Sequence, residues 1–272
     1  MSKYKKLIIF FFIIFIAWLI WSNVTFKVSK YTIESDRLPK RFDGYRIVQI
    51  SDLHNAKFGK NNKNLVKRIK KEKPDMIAIT GDFVDGFNPK IDNALKFAEE
   101  LIKIAPCYYV SGNHEASLAE DVYSDFVSKM KELGVVVLEN DLAMLEKNGE
   151  KIQIIGFADN IMDSDYGYIE SNTKVNSDLY TIALEHRPTF LDYFAKKKTD
   201  LVLSGHAHGG QFRIPFIGGV VAPDQGFFPK YYAGKYTKDN TTMIVSTGLG
   251  NSVIPVRANN RPELVVIELK CK

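Results

Sequence analysis

The sequence predicts an α/β domain whose polar groups gather along one edge of a β-sheet. From Tyr45 onward, short apolar runs alternate with stretches of helical spacing. The first three runs each end in a polar cluster. A fourth, Asp200-Leu201-Val202-Leu203-Ser204, leads into Gly205-His206-Ala207-His208-Gly209-Gly210-Gln211. Histidines at i and i+2 face one side on a strand, but on a glycine-bounded turn they splay toward two points. The chain has only five histidines, and the other three (His54, His114, His186) also follow strand-like runs.

Ahead of that rhythm stands a different segment. Leu7 to Trp21 is an uninterrupted apolar run behind Lys3, Lys5 and Lys6. With its extension to Phe26 it reaches the roughly 20 apolar residues that a spanning helix needs. Trp18 and Trp21 fall at its far end, where aromatic rings favour the lipid–water interface. No small-residue cleavage site, twin arginine or lipidation cysteine accompanies the run, so it reads as an uncleaved anchor rather than a signal peptide. The expected organisation is an anchor over 1–30 and one domain over 31–272. The preceding lysines predict a single-pass protein of the cell membrane with its domain on the extracytoplasmic side.

Charge follows the same division. The net charge of +5 is carried by five lysines within residues 1–30, which leaves 31–272 formally neutral. No nucleic-acid footprint is present, and no protein partner is evident. Cys107 and Cys271 form no redox or metal pattern, and Cys107 reads as a small core residue.

Taken in order, Val28–Ser35 reads as a strand and Tyr45–Ile50 as the next, ending in Ser51-Asp52-Leu53-His54. Leu65, Val66 and Ile69 give Asn64–Lys73 a helical spacing with a lysine-rich outer face. Met76–Thr80 is a strand covered on both faces, ending in Gly81-Asp82-Phe83-Val84-Asp85. Ile91–Ile104 is an amphipathic helix. Cys107–Val110 is a strand that ends in Ser111-Gly112-Asn113-His114-Glu115, and Ala119–Leu133 is a helix stopped by Gly134. Short strands follow at Val135–Leu138, Ala143–Glu146 and Ile152–Phe157. Asp159–Ser177, with Asp163 and Asp165, reads as a solvated polar loop. Tyr180–Leu184 is a strand ending at His186, and Pro188 opens a helix over Thr189–Lys198. Ile217–Tyr236 is rich in glycine, proline and aromatics, and reads equally as a lid or lipid-facing rim and as a packed loop. Met243–Thr247 and Leu264–Leu269 close the domain as strands.

In open α/β sheets ligands bind at the carboxyl ends of strands, which brings Asp52, His54, Asp82, Asn113 and His114 together. With His186, His206 and His208 they form a set of carboxylate, amide and imidazole donors. Such donors suit two divalent ions of Mn, Fe or Zn, and without paired cysteines a structural zinc site is disfavoured. Asp82, from the middle strand, is the natural bridge between two ions. Paired cations bring a shared water toward a pKa of about 7, giving a hydroxide nucleophile for a phosphoester substrate. No serine nucleophile elbow is present.

These motifs, in this order across roughly residues 45–250, resemble the calcineurin-like metallophosphoesterase family. The resemblance implies an α/β fold, a four-layer αββα sandwich with two mixed β-sheets, preceded here by one N-terminal transmembrane helix. It implies that Asp52, His54, Asp82 and His208 ligate one metal and Asp82, Asn113, His186 and His206 a second. It also implies that His114 is the acid that protonates the leaving oxygen. Protein phosphatases of the family carry an arginine soon after the second aspartate, where this chain has Asp85-Gly86-Phe87. The cytosolic lipid A pyrophosphatases show arginine at the place of His114. The anchor, Ser51-Asp52-Leu53-His54 and Gly209-Gly210-Gln211 are similar to the membrane-anchored bacterial phosphodiesterase branch. Some members there cleave the pyrophosphate of a UDP-linked acylated sugar. The expected substrate is therefore a phosphodiester or pyrophosphate of a lipid-linked or nucleotide-sugar envelope compound. A small phosphomonoester is the alternative, and a non-catalytic metal-binding scaffold the alternative outside the enzymes.

Overall fold

The structure, a computed structural model, describes residues 2–159 and 175–272. It opens with helix α1 (Lys3–Val24), capped by Ser2 and exposed along nearly its whole length. By length and composition this helix suffices to cross a membrane. The chain turns extended at Thr25, and β1 (Lys27–Ser35) begins two residues later, so Lys27 and Lys30 already belong to a sheet.

Two six-stranded sheets follow. The first combines β1 with β2 (Arg46–Ile50), β3 (Met76–Thr80), β4 (Cys107–Val110), β5 (Val136–Val137) and β16 (Glu263–Cys271), in the order β1-β16-β2-β3-β4-β5. The second comprises β6 (Asp141–Lys147), β7 (Glu150–Gly156), β8 (Thr181–Leu184), β9 (Leu201–Ser204), β14 (Gly234–Lys238) and β15 (Thr241–Val245), in the order β14-β15-β9-β8-β7-β6. Both sheets are mixed: β2, β3, β4 and β5 run parallel, while β16 is antiparallel to β2. In the second sheet β7, β8, β9 and β15 run parallel between antiparallel edges.

The apolar strands are buried on both faces, as their unbroken hydrophobicity requires. Along β3, Ile77 and Ile79 point outward to the helices, while Met76 and Ala78 point between the sheets, the period of two expected of a strand. The outer layer consists of α2 (Lys63–Glu72), α3 (Ile91–Ile102) and α5 (Glu120–Glu132), which bury Ile69, Phe97 and Phe126. The middle is filled by Ile47, Val110, Ile154, Ile182, Leu203 and Ile244. On the far side, α6 (Leu191–Lys196) packs Leu191 and Phe194 against Ala183, Val202 and Met243. These are the four layers of the expected sandwich. The buried Gln49 amide joins the sheets by donating to Thr80 Oγ1 at 3.0 Å and to the Ser204 carbonyl at 2.9 Å.

Some elements differ from expectation. The helix over Thr189–Lys198 is a 3-10 turn at Pro188–Phe190 followed by the six residues of α6. Residues 213–227 form two small hairpins, β10 (Arg213–Ile214) with β11 (Gly218–Gly219) and β12 (Val221–Ala222) with β13 (Gly226–Phe227). Two-residue strands are too short to show a period, so nothing in the sequence marked them. Most of the Asp159–Ser177 loop, with Asp163 and Asp165, lies outside the described residues.

One topological fact fixes the position of α1. Strand β1 runs parallel to β16, and β16 runs antiparallel to β2. The start of β1, and with it the end of α1, therefore lies at the sheet edge where β2, β3 and β4 terminate.

Candidate active site

That edge holds all five histidines, each buried. Asp52 and His54 leave β2, Asp82 leaves β3, and Asn113 and His114 begin the one-turn helix α4 (Asn113–Ala116) after β4. His186 follows β8, while His206 and His208 follow β9. Asp52, His54, Asp82, His206 and His208 all hold left-handed backbone, with φ of 49°, 42°, 50°, 66° and 46°. Non-glycine residues there cost of order 1 kcal/mol or more each, and such strain collects at functional sites. Glycine permits the crowding. A Cβ on Gly81 would meet His186 Nδ1 at 2.5 Å, and one on Gly205 would collide with Ser51 and Asp52.

The donors fall into three groups, two of which share Asp82. Ligand atoms of Asp52, His54, Asp82 and His208 lie within 4.8 Å of one another, as do those of Asp82, His186 and His206. Asp82 Oδ2 is 3.4 Å from His54 Nε2 and 3.2 Å from His186 Nε2. Asn113 Oδ1 joins the second group at 3.2 Å from His186 Nε2. Asp52 Oδ2 and both ring nitrogens of His54 are buried without a hydrogen-bond partner. Buried polar atoms are normally satisfied, so these orphans and the mixed O/N donor set fit a divalent cation. Burial pushes His54 below its ordinary pKa and His208 down to about 3, keeping both imidazoles in the neutral, ligand-competent form. Burial opposes ionisation of Asp82, but the charge and hydrogen bond of neighbouring His186 hold it well below the usual carboxylate range.

His114 belongs to neither group that contains Asp82; it groups instead with His54 and Asp85. Its Nδ1 accepts the Gly86 N–H at 2.9 Å, so the neutral ring carries its proton on Nε2. That nitrogen is 2.9 Å from Ser252 Oγ. His114, Asp82, Asn113, His206 and His208 line a cavity of about 360 Å³ whose remaining wall is mainly apolar, including Val253 and Ile254.

Sequence reasoning collected these donors apart from Asp85, and it missed their supports. Glu115 accepts the backbone N–H groups of Asp82, Val84 and Gly112 at 2.8, 2.7 and 2.9 Å, tying two strand ends together. Burial, with Asp82 adding to it, pushes this carboxyl up to about 8. Asp224 accepts from His206 Nε2 and from Arg187, whose guanidinium forks onto Asp159 at 2.7 and 2.8 Å. The fully buried Arg257 donates to the Thr247 and Gly250 carbonyls and to Asn251 Oδ1, and lies 3.2 Å from His208 Nδ1. Burial draws it down to about 10, which leaves it charged at neutral pH. Glu115 adjoins a motif and was within reach of the sequence. Asp224 and Arg257 have no local pattern.

Fold and site together define a metal-dependent phosphoester hydrolase. The chain belongs to the calcineurin-like phosphoesterase family, whose model matches residues 45–210. Members of this family use a dinuclear site for divalent metals, in keeping with the clustered donors. The chain is 32% identical over 254 residues to an uncharacterized metallophosphoesterase of Bacillus subtilis, YkuE, covering 90% of this chain and 85% of that one. It is 26% identical over 233 residues to phosphodiesterase YaeI of Escherichia coli, covering 83% and 82%. The crystal structure of TT1561 of Thermus thermophilus superposes with a TM-score of 0.50 at 12% identity, covering 76% of this chain and 92% of that one, a likeness of fold alone.

Proposed function

We propose that this protein is a membrane-anchored two-metal phosphodiesterase acting on a phosphodiester or pyrophosphate of the cell envelope. In this reading Asp52, His54, Asp82 and His208 hold one ion, and Asp82, Asn113, His186 and His206 hold the other. The observation that carries it is Asp82, common to two donor groups and hydrogen-bonded to the backbone of His114, whose neutral ring carries its proton on Nε2. Two bound cations would activate a water and neutralise phosphoryl oxygens. His114 then donates its Nε2 proton to the departing oxygen. Arg257 and Asp224 hold the rings of His208 and His206 in place, and partners of this kind orient ligands.

Two features favour a diester with a substantial leaving group over a small monoester: the apolar cavity wall, and similarity to a protein named a phosphodiesterase. The anchor is α1 (Lys3–Val24), and the catalytic domain starts with β1 at Lys27, ahead of the expected boundary at residue 31. Lys3, Lys5 and Lys6 ahead of the apolar run support an extracytoplasmic catalytic domain in this reading. Manganese, iron and zinc all suit the donors.

The test uses the full chain in detergent, because a truncation at residue 31 would cut into β1, which pairs with β16 from Lys27. Turnover of bis-p-nitrophenyl phosphate and p-nitrophenyl phosphate is compared with added manganese, with and without chelator. Faster, chelator-sensitive diester cleavage is expected. Monoester preference would replace the diesterase reading with that of a phosphomonoesterase. Bound metal without any turnover would make the protein a scaffold.

A further inference from the structure

We propose that the mouth of the active site is a bilayer-docking rim, so that the metal site opens onto the surface of the membrane that α1 enters. The proposal rests on α1 being a membrane anchor. It is carried by the way α1 is joined to the site, and by what surrounds the mouth.

The end of α1 is bonded to a loop that forms part of the site. Asn23 donates to the Arg257 carbonyl at 2.9 Å and accepts the Arg257 N–H at 2.8 Å. Arg261 lies 4.4 Å over the ring of Trp21 and donates to Thr25 Oγ1 and the Phe26 carbonyl, each at 3.0 Å. The same loop carries Ser252, the partner of His114, and the cavity-lining Val253 and Ile254. Gln211, just after the two metal-site histidines, donates to the Ile254 and Val256 carbonyls at 2.8 and 2.7 Å. The anchor, the loop and the histidine turn are thus one connected unit at one edge of the molecule.

The rim of that unit is apolar and exposed. Phe216 projects from the tip of the β10–β11 hairpin and is fully exposed; Phe227 is 77% exposed, Val253 76% and Phe228 64%. Phe216 and Phe228 hold left-handed backbone with φ of 69° and 55°, where glycine or asparagine would be easier. Bulky side chains held in strained backbone and facing water add nothing to folding. Phe227 pairs with the cavity-lining Val221, and Val253 itself lines the cavity; apolar exposure beside a site marks an interaction surface, and aromatic rings are favoured at the lipid–water boundary. Continuity with α1 identifies the occupant as the interface of the same bilayer, with acyl-bearing phosphoesters as the substrates presented to the cavity.

The experiment places an environment-sensitive fluorophore at Phe216→Cys or Phe228→Cys in the full chain, in a Cys271→Ser background. Asn148→Cys serves as control, because the β6–β7 turn lies at the opposite sheet edge. Phe227→Cys substitutes should a tip variant fail to fold. The proteins are reconstituted in vesicles of phosphatidylcholine and phosphatidylglycerol containing shallow-brominated lipid. Blue-shifted emission and loss of fluorescence by bromine quenching at 216 and 228, with none at 148, is the expected result. Aqueous, unquenched emission at all three positions in protein that resists alkaline extraction would overturn the docking proposal while leaving the anchor intact. Release of the chain by alkali would overturn the anchor, and the docking proposal with it.

Discussion

The carboxylate of Asp224 accepts a hydrogen bond from Nε2 of His206 at 2.9 Å, and this leaves Nδ1 as the nitrogen His206 turns toward His186 and Asp82. His206 and Arg187 hold Asp224 down to about 2, so it is ionised throughout the neutral range. An ionised partner behind a ligand imidazole fixes its tautomer and orientation. Asp224→Ala is expected to weaken manganese binding by about 10- to 100-fold, with little change in fold. Asp224→Asn, which keeps the acceptor oxygen, should recover part of that loss. Isothermal titration with manganese measures both, and unaltered affinity in the alanine variant would remove Asp224 from the site.

Asp82 and His114 should separate binding from turnover. Asp82 is shared between two of the donor groups, whereas His114 touches them through its backbone N–H to Asp82 Oδ1 at 2.9 Å. Asp82→Ala is expected to lose both metal and activity. His114→Ala is expected to keep its metal content and lose about 10²- to 10⁴-fold in diester turnover, the usual contribution of a positioned acid. Metal analysis alongside bis-p-nitrophenyl phosphate kinetics decides it. Normal turnover in either variant contradicts the assigned roles.

Glu115 serves structure rather than chemistry. Once ionised, above about pH 8, its two oxygens satisfy three buried N–H donors, whereas a glutamine would offer one oxygen and place an NH₂ group against another donor. Glu115→Gln should therefore cost about 1–3 kcal/mol, the penalty for a buried unsatisfied polar group. A lower denaturant midpoint at unchanged m-value is the expected signature, and an unchanged midpoint would refute the tie.

Gly205 is required by contact rather than by backbone conformation. A Cβ there would run into Ser51 Oγ and Asp52 Oδ2, both on the loop leaving β2. Gly205→Ala is expected to destabilise the protein by about 1–3 kcal/mol through overpacking and to displace Asp52 from the first donor group. Thermal unfolding and metal content, measured together, should both fall. A variant with full metal content and wild-type melting would show that the loop yields freely.

The two cysteines should react very differently. Cys107 is fully buried in the outer core, and burial pushes its thiol up to about 12. A group whose pKa is raised remains protonated as pH rises through its ordinary value, so at pH 8 almost none of Cys107 is thiolate. Cys271 is half-buried near the end of β16. Titration of the native chain with a thiol reagent at pH 8 should modify Cys271 alone, and both residues after denaturation. Two reactive thiols in the native chain would show that the core opens.

By itself the sequence determined which residues gather at the site. Asp52, His54, Asp82, Asn113, His114, His186, His206 and His208 each follow an apolar run long enough to be a buried strand, and parallel strands end together. Local hydrophobic order therefore carried the site's residues, and the apolar run behind three lysines carried the length of α1. Tertiary structure alone decided what steadies that set and which way it faces. Arg257 reaches His208 across 49 residues, and Asp224 reaches His206 from a stretch whose fold no periodicity disclosed. The orientation of α1 was equally out of reach. It depends on β1 pairing parallel with β16, 236 residues away at Lys27 and Glu263, and on β16 lying antiparallel to β2. Pairings between distant strands are chosen by the whole packed core, not by neighbours in sequence. That choice puts the end of α1 and the cluster of buried histidines on the same edge.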